Sequence, residues 1–113
     1  MNVKNLVEQM NLRVLAGEGG LDREVRGGYA SDLLSDVMGN TDAGCVWLTL
    51  LTQKNAGAVA ALQELACMVV VKGQQPDADA LEMANEEQIP ILSTPKQTFE
   101  MAGELYLRLK ENQ

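Results

Sequence analysis

Four short polar segments carry the residue types that could do chemistry on a small ligand. They are Tyr29-Ala30-Ser31-Asp32, Thr52-Gln53-Lys54-Asn55, Lys72-Gly73-Gln74-Gln75 and Ser93-Thr94. Hydroxyl, amide and ammonium groups at a helix start suit a polar or anionic molecule, because first-turn N–H groups are free and the helix dipole is positive there. The candidate ligand-binding residues are Ser31, Thr52, Gln53, Lys54, Asn55, Lys72, Gly73 and Thr94. Backbone N–H groups would meet the anion, and Lys54 or Lys72 would supply positive charge. The same residues have a plain structural use. Ser31, Asp32, Asn55 and Thr94 are all helix-capping types, and Gly73 followed by Pro76 is ordinary loop punctuation.

Catalytic chemistry finds less support, and the chain is expected not to be an enzyme. There is no histidine, so nothing can serve as the imidazole base beside a serine or a thiol. A phosphate-binding P-loop needs a Gly-Lys pair, and none occurs. Gly17-Glu18-Gly19-Gly20 lacks that lysine and a following helix, so it reads as a turn. Cys45 and Cys67 lie in or beside apolar runs and read as two buried, reduced thiols rather than a disulfide or metal pair. No metal and no cofactor is expected. Glu82, Glu86 and Glu87 fall on the outer face of a helix, where neighbouring like charges are solvated.

The formal net charge is −7. That disfavours a nucleic acid polymer, which selects a basic stripe, and an anionic membrane surface, which attracts basic segments. No apolar run approaches bilayer-spanning length, and no signal-peptide pattern opens the sequence. A cytoplasmic, single-domain protein spanning residues 1–113 is the expectation. Aromatics make up only 4% of the chain, so the core must be built from Leu, Val, Ala, Met and Ile.

The elements that must position these segments follow from apolar spacing. Val3, Leu6, Val7 and Met10 mark one face of a helix. Leu12–Leu15 and the stretch ending at Tyr29-Ala30 read as strands, with Gly27-Gly28 marking a bulge or a close backbone approach. Ser31 or Asp32 caps a helix carrying Leu33, Leu34, Val37 and Met38 on one face. Cys45–Thr52 is a strand, Ala56–Ala66 a helix and Cys67–Val71 a strand. Asp77 or Asp79 caps a helix running to about Gln88, and Ile89–Leu92 is a short strand. Thr94-Pro95-Lys96-Gln97 is a helix start, with Pro95 at the first helical position. Phe99, Ala102, Leu105, Tyr106 and Leu109 give the buried stripe of the last helix. Two strands without polar alternation require a sheet covered on both faces, hence parallel strands with right-handed crossovers. The expected fold is a three-layer α/β/α sandwich around a mainly parallel sheet, with the four polar segments at the carboxyl edge, where such sheets bind ligands.

Several stretches carry a family resemblance. They are L-x-V-L-x-G at 12–17, L-D-R-E-V-x-G-G-Y at 21–29 and S-D-L-L-S-D-V-M at 31–38. V-W-L-T at 46–49, A-C-M-V-V-V-x-G at 66–73 and I-P-I-L-S-T at 89–94 complete the set. Over nearly its whole length the chain resembles the DRTGG domain family. That domain is similar to the N-terminal domain of HPr kinase/phosphorylase and to part of longer phosphotransacetylases, and it accompanies CBS domains in some proteins. The implied fold is an α/β sandwich like the N-terminal domains of MurF and HPr kinase. The family's naming Asp-Arg pair follows its first buried parallel strand and the Thr-Gly-Gly follows the next. Here those places hold Gln53-Lys54-Asn55 and Val71-Lys72-Gly73-Gln74, so the signature is degenerate. The Asp22-Arg23 pair lies too early to be that signature. HPr kinase activity belongs to a separate P-loop domain, which is absent from this sequence.

The resemblance implies a regulatory or ligand-sensing domain, self-associating, that binds a small anionic ligand or nucleotide. It looks like the stand-alone, single-domain subgroup, which is associated with redox and iron-only hydrogenase systems. A protein-interaction scaffold accessory to such a system is therefore the alternative role.

Overall fold

β3 (Cys45–Thr49) and β4 (Cys67–Val70) are apolar on both sides, and they take the interior of the sheet. The computed structural model describes residues 1–112. Its five-stranded sheet has the order β1-β5-β4-β3-β2, where β1 is Arg13–Ala16, β2 Gly27–Ala30 and β5 Ile91–Ser93. β2, β3, β4 and β5 are mutually parallel, and only β1 runs antiparallel, against β5. Tyr29 pairs with Trp47 in register, Trp47 with Met68, and Met68 with Ile91.

Alternation along the strands builds two cores. Val46, Leu48, Cys67, Val69 and Leu92 face α1 (Val3–Met10) and α5 (Thr98–Glu111). Trp47, Met68, Val70 and Ile91 face the other layer, where Val37 of α2 (Leu34–Asn40), Ala56, Val59 and Ala60 of α3 (Lys54–Leu62) and Ala84 of α4 (Ala78–Glu87) cover them. The three-layer α/β/α sandwich expected from the apolar strands is therefore present. Each fully buried Leu or Ile contributes about 1.5–3 kcal/mol relative to exposure. Trp47 is fully buried, and its Nε1–H donates to the Ser31 carbonyl at 2.9 Å, so no indole donor is stranded. No helix among the described residues is long and apolar enough to cross a membrane.

The glycine pair marks a close approach. A Cβ at Gly28 would lie 2.9 Å from Leu105 Cδ2, so α5 rests directly on β2. Several boundaries differ from the sequence expectation. β3 stops at Thr49 and α3 at Leu62. Leu65 and Ala66 join the buried approach to β4. α2 begins at Leu34, and of its expected apolar face only Val37 is fully buried, while Leu33 and Met38 are exposed.

The last helix is the largest correction. It starts at Thr98 with Gln97 as its N-cap, not at Pro95. The Thr94 hydroxyl is taken by the Lys96 N–H at 3.3 Å, which makes a turn of the Thr-Pro-Lys stretch. The buried stripe is also displaced. Met101 and Leu105 are buried, whereas Phe99 is 89% exposed and Tyr106 62% exposed.

Candidate functional site

Four loops follow the parallel strands at the carboxyl edge of the sheet, and hydrogen bonds stitch them side by side. Asp32 Oδ1, after β2, accepts from Thr49 Oγ1 at 2.9 Å and from the Leu50 N–H at 2.8 Å. The Asp77 N–H, at the head of α4, donates to the Thr52 carbonyl at 2.9 Å. The Lys72 N–H donates to the Lys96 carbonyl at 2.8 Å, and the Gly73 N–H to the Thr94 carbonyl at 2.9 Å. Ser31, Thr52–Asn55, Lys72–Gly73 and Thr94 thus lie along one continuous edge, in the strand order β2, β3, β4, β5.

The capping roles expected of these residues are not the ones they play. Neither Ser31 nor Asp32 caps α2, whose N-cap is Leu33 without a side-chain bond. Asp32 turns back to the end of β3 instead, and the Ser31 hydroxyl accepts from the Leu33 N–H at 3.2 Å. Hydrogen bonds from the hydroxyls of Ser31 and Tyr29, and from the Asn40 amide, hold the Asp36 carboxyl below its ordinary range, against a smaller opposing effect of burial. Tyr29 donates to Asp36 Oδ2 at 2.8 Å, and that bond pushes its own phenol up. Asn55 stands inside the first turn of α3, where Gln53 is the N-cap. Thr94 is buried, with its hydroxyl engaged by Lys96.

Topology decides where a crevice can form along this edge. The helices after β2, β3 and β4 all cover the same face, whereas α5, after β5, crosses to the other. Ligand crevices in open parallel sheets sit where neighbouring connections leave on opposite sides. Here that point lies between β4 and β5, at Lys72-Gly73 and Thr94–Lys96. The two backbone hydrogen bonds just described span it. Lys72 and Gly73 both adopt left-handed backbone, with φ of 58° and 64°. For a lysine this conformation costs about 1 kcal/mol or more, the kind of local strain that concentrates at functional loops.

Charge and donors are unevenly distributed. Lys54 and Lys72 are exposed and have no ion-pair partner among the described residues. Lys96 is held by both Glu104 oxygens at 2.7 Å. The N–H groups of Lys72, Gly73 and Gln74 are all donated within the protein, the last to the Val71 carbonyl. The free donors expected of that loop are therefore committed. At the head of α3, the N–H groups of Lys54 and Asn55 have no acceptor among the described residues. At α4 the first turn carries Asp77 and Asp79, which repel anions.

A wider cleft lies away from this edge. About 530 Å³ opens between β2 and α5, lined by Gly28, Ala30, Tyr106 and Leu109 among others. A shallower hollow of about 440 Å³ lies between the end of α1 and α5. None of the eight candidate residues lines either of these. The β2–α5 cleft was not legible in the sequence; the nearest signal was Gly27-Gly28, which lets the helix approach the strand. Arg23 lies at the opposite end of the sheet, where its guanidinium donates to the carbonyls of Gln88 and Leu65 at 3.0 and 3.4 Å.

Residues 5–107 match the family model of the DRTGG domain. The chain belongs to the DRTGG domain family. No curated protein matches the sequence. A solved structure with the same fold is that of the CBS and DRTGG domains of the regulatory region of Clostridium perfringens pyrophosphatase, complexed with the activator diadenosine tetraphosphate. The TM-score is 0.69 at 13% identity, covering 89% of this chain and 44% of that one, so this DRTGG domain spans less than half of the regulatory region.

Proposed function

We propose that this DRTGG domain is a non-catalytic regulatory domain. It senses a small polar or anionic ligand of nucleotide type at the carboxyl edge of its sheet. One observation carries the reading. The ammonium of Lys72, without an ion-pair partner among the described residues, stands at the point between β4 and β5 where α4 and α5 part to opposite faces. The nucleotide bound by the pyrophosphatase regulatory region supports that ligand class. Lys54 and the open N–H groups at the head of α3 offer a second anchor, tied to the same edge through Thr52 and Asp77. A ligand entering between the loops exchanges the Lys72–Lys96 and Gly73–Thr94 bonds for contacts of its own. Binding would then change the relation of α4 to α5, a signal a neighbouring domain or second copy can read. The net charge of −7 disfavours a nucleic acid polymer as the ligand.

Thermal unfolding tests this. ATP, AMP, diadenosine tetraphosphate and inorganic phosphate are added singly, with and without magnesium. A ligand at one hundred times its Kd stabilises the fold by about 2.7 kcal/mol. The expected result is a rise in Tm for at least one nucleotide, lost in Lys72→Ala with the fold intact. Flat curves at millimolar concentrations overturn the proposal.

The second reading is a protein-interaction scaffold accessory to a redox or iron-only hydrogenase system. The exposed Met38 and Leu62, brought together at the ends of α2 and α3 by the Gln63 amide on the Met38 carbonyl, favour it. It predicts that the wild-type chain retains a redox-system protein that Leu62→Glu releases. Retention by both counts against it.

A further inference from the structure

The last helix carries more apolar surface than its own sheet covers. Met101 and Leu105 point into the core. A second seam, Phe99, Ala102, Tyr106 and Leu109, follows a 3-4-3 spacing, which keeps four residues on one side of a helix. Phe99 and Tyr106 are exposed, Ala102 and Leu109 half-buried, and the seam contains no charge. Three of the four line the 530 Å³ cleft beside β2, and across that cleft runs the sheet's edge strand. Among the described residues β2 pairs only with β3. Its sequence, Gly-Gly-Tyr-Ala, has none of the charges or prolines that normally protect an edge from further pairing.

We propose that this face is a homodimer interface. A second copy pairs its β2 antiparallel to β2 about a two-fold axis normal to the sheet, and the two α5 helices pack antiparallel above the joint. The inference is independent of the ligand proposed for the carboxyl edge. Three observations commit the occupant to a second copy. First, the seam is self-complementary when reversed: Phe99 meets Leu109 of the other copy, and Ala102 meets Tyr106, large side chains falling on smaller ones. A two-fold interface requires such reciprocity. Second, the spacing closes. α5 packs over β2 and β3, and strands pair about 4.8 Å apart, so helices centred between β2 and β3 in each copy stand roughly 10 Å from one another, the distance at which helices pack. Third, the reversed register brings Phe99 of the second copy to the end of the cleft lined by Leu109 and Lys110. There the aromatic ring fills apolar space beside a cation.

Sedimentation equilibrium on the full chain tests the proposal, with native fold checked by circular dichroism. Wild type is expected to dimerise in the micromolar range. Phe99→Glu and Tyr106→Glu, both at exposed positions, are expected to weaken association about a hundredfold. Leu62→Glu, on the opposite layer, is expected to leave it unchanged. Amide exchange at Gly27–Ala30 should slow as protein concentration rises through the dimer range. A wild-type chain that stays monomeric at several hundred micromolar overturns the proposal. So does a dimer indifferent to Phe99→Glu and Tyr106→Glu, or one that leaves β2 exchange unchanged.

Discussion

The Lys72 N–H reaches the Lys96 carbonyl at 2.8 Å, across the point where the connections of β4 and β5 part to opposite faces of the sheet. Two lysines are thereby held at the one place on the carboxyl edge where topology favours a crevice, and only Lys96 has its charge matched, by Glu104. The backbone of Lys72 is left-handed, so glycine should replace it without structural loss. Lys72→Gly is expected to keep the stability of the wild type within about 1 kcal/mol. It should abolish any nucleotide-induced rise in Tm. A drop of many degrees in the unliganded protein would show instead that the lysine stem is needed for packing, and would remove the basis for assigning it to a ligand.

Asp32 should prove structural. Its Oδ1 collects the Thr49 hydroxyl and the Leu50 N–H, and Thr49 is fully buried. Asp32→Ala leaves that hydroxyl without its acceptor, at a cost of about 1–3 kcal/mol in urea unfolding. Asp32→Asn retains an oxygen in place and should recover most of the loss. Equal destabilisation by both substitutions would mean that charge, and not the acceptor geometry, matters.

The two interior strands were legible because unbroken apolar runs leave a parallel sheet few alternatives. The edge was only half legible. Ser31, Asp32, Asn55 and Thr94 are capping types, yet none caps a helix here. Asp32 instead takes partners that only the folded chain brings near, Thr49 and Leu50, while the Ser31 and Thr94 hydroxyls accept from N–H groups two residues along. The stitching of Lys72 to Lys96 and of Thr52 to Asp77 uses main-chain groups, which every residue has and no composition reveals. The α5 stripe was misassigned for a related reason. Apolar residues span two adjacent sides of that helix, and periodicity alone does not say which side meets the sheet. The positive φ of Lys72 has no sequence signal at all, since lysine is not a residue that ordinarily marks it.

The cysteines should separate cleanly by reactivity. Cys67 is buried in the α1–α5 core, and burial pushes its thiol up to about 12, while Cys45 is partly exposed. A thiol reagent near neutral pH should modify one cysteine per native chain and two after denaturation, the slow one being Cys67. The same shift sets a pH dependence. Below pH 9, the ordinary value of the thiol, folded and unfolded states both keep the proton and the contribution of Cys67 is intact. Above that the unfolded thiol ionises first, so stability falls until the folded group itself titrates near pH 12. Cys67→Ala should flatten this fall. An unchanged slope in that variant would assign the alkaline loss to other groups.

Two glycine-to-alanine substitutions should move stability in opposite directions. Gly17 has φ of +75°, and a Cβ there would stand 2.1 Å from the Ile89 carbonyl oxygen. Its N–H donates to Asn85 Oδ1 at 2.8 Å, so the loop after β1 has no slack to retreat. A methyl group must push on main chain and not on a flexible side-chain end. Gly17→Ala should therefore cost about 3 kcal/mol or more, combining backbone strain with overpacking. Gly103 lies within α5, and a Cβ there meets nothing within 4 Å. Alanine at that position lowers the entropy of the unfolded chain and suits the helix, so Gly103→Ala should stabilise by about 0.4–1 kcal/mol. Urea unfolding of the pair decides the matter. A tolerated Gly17→Ala would mean that the contact with Ile89 opens freely, and that the left-handed turn does not lock the β1 loop against the approach to β5.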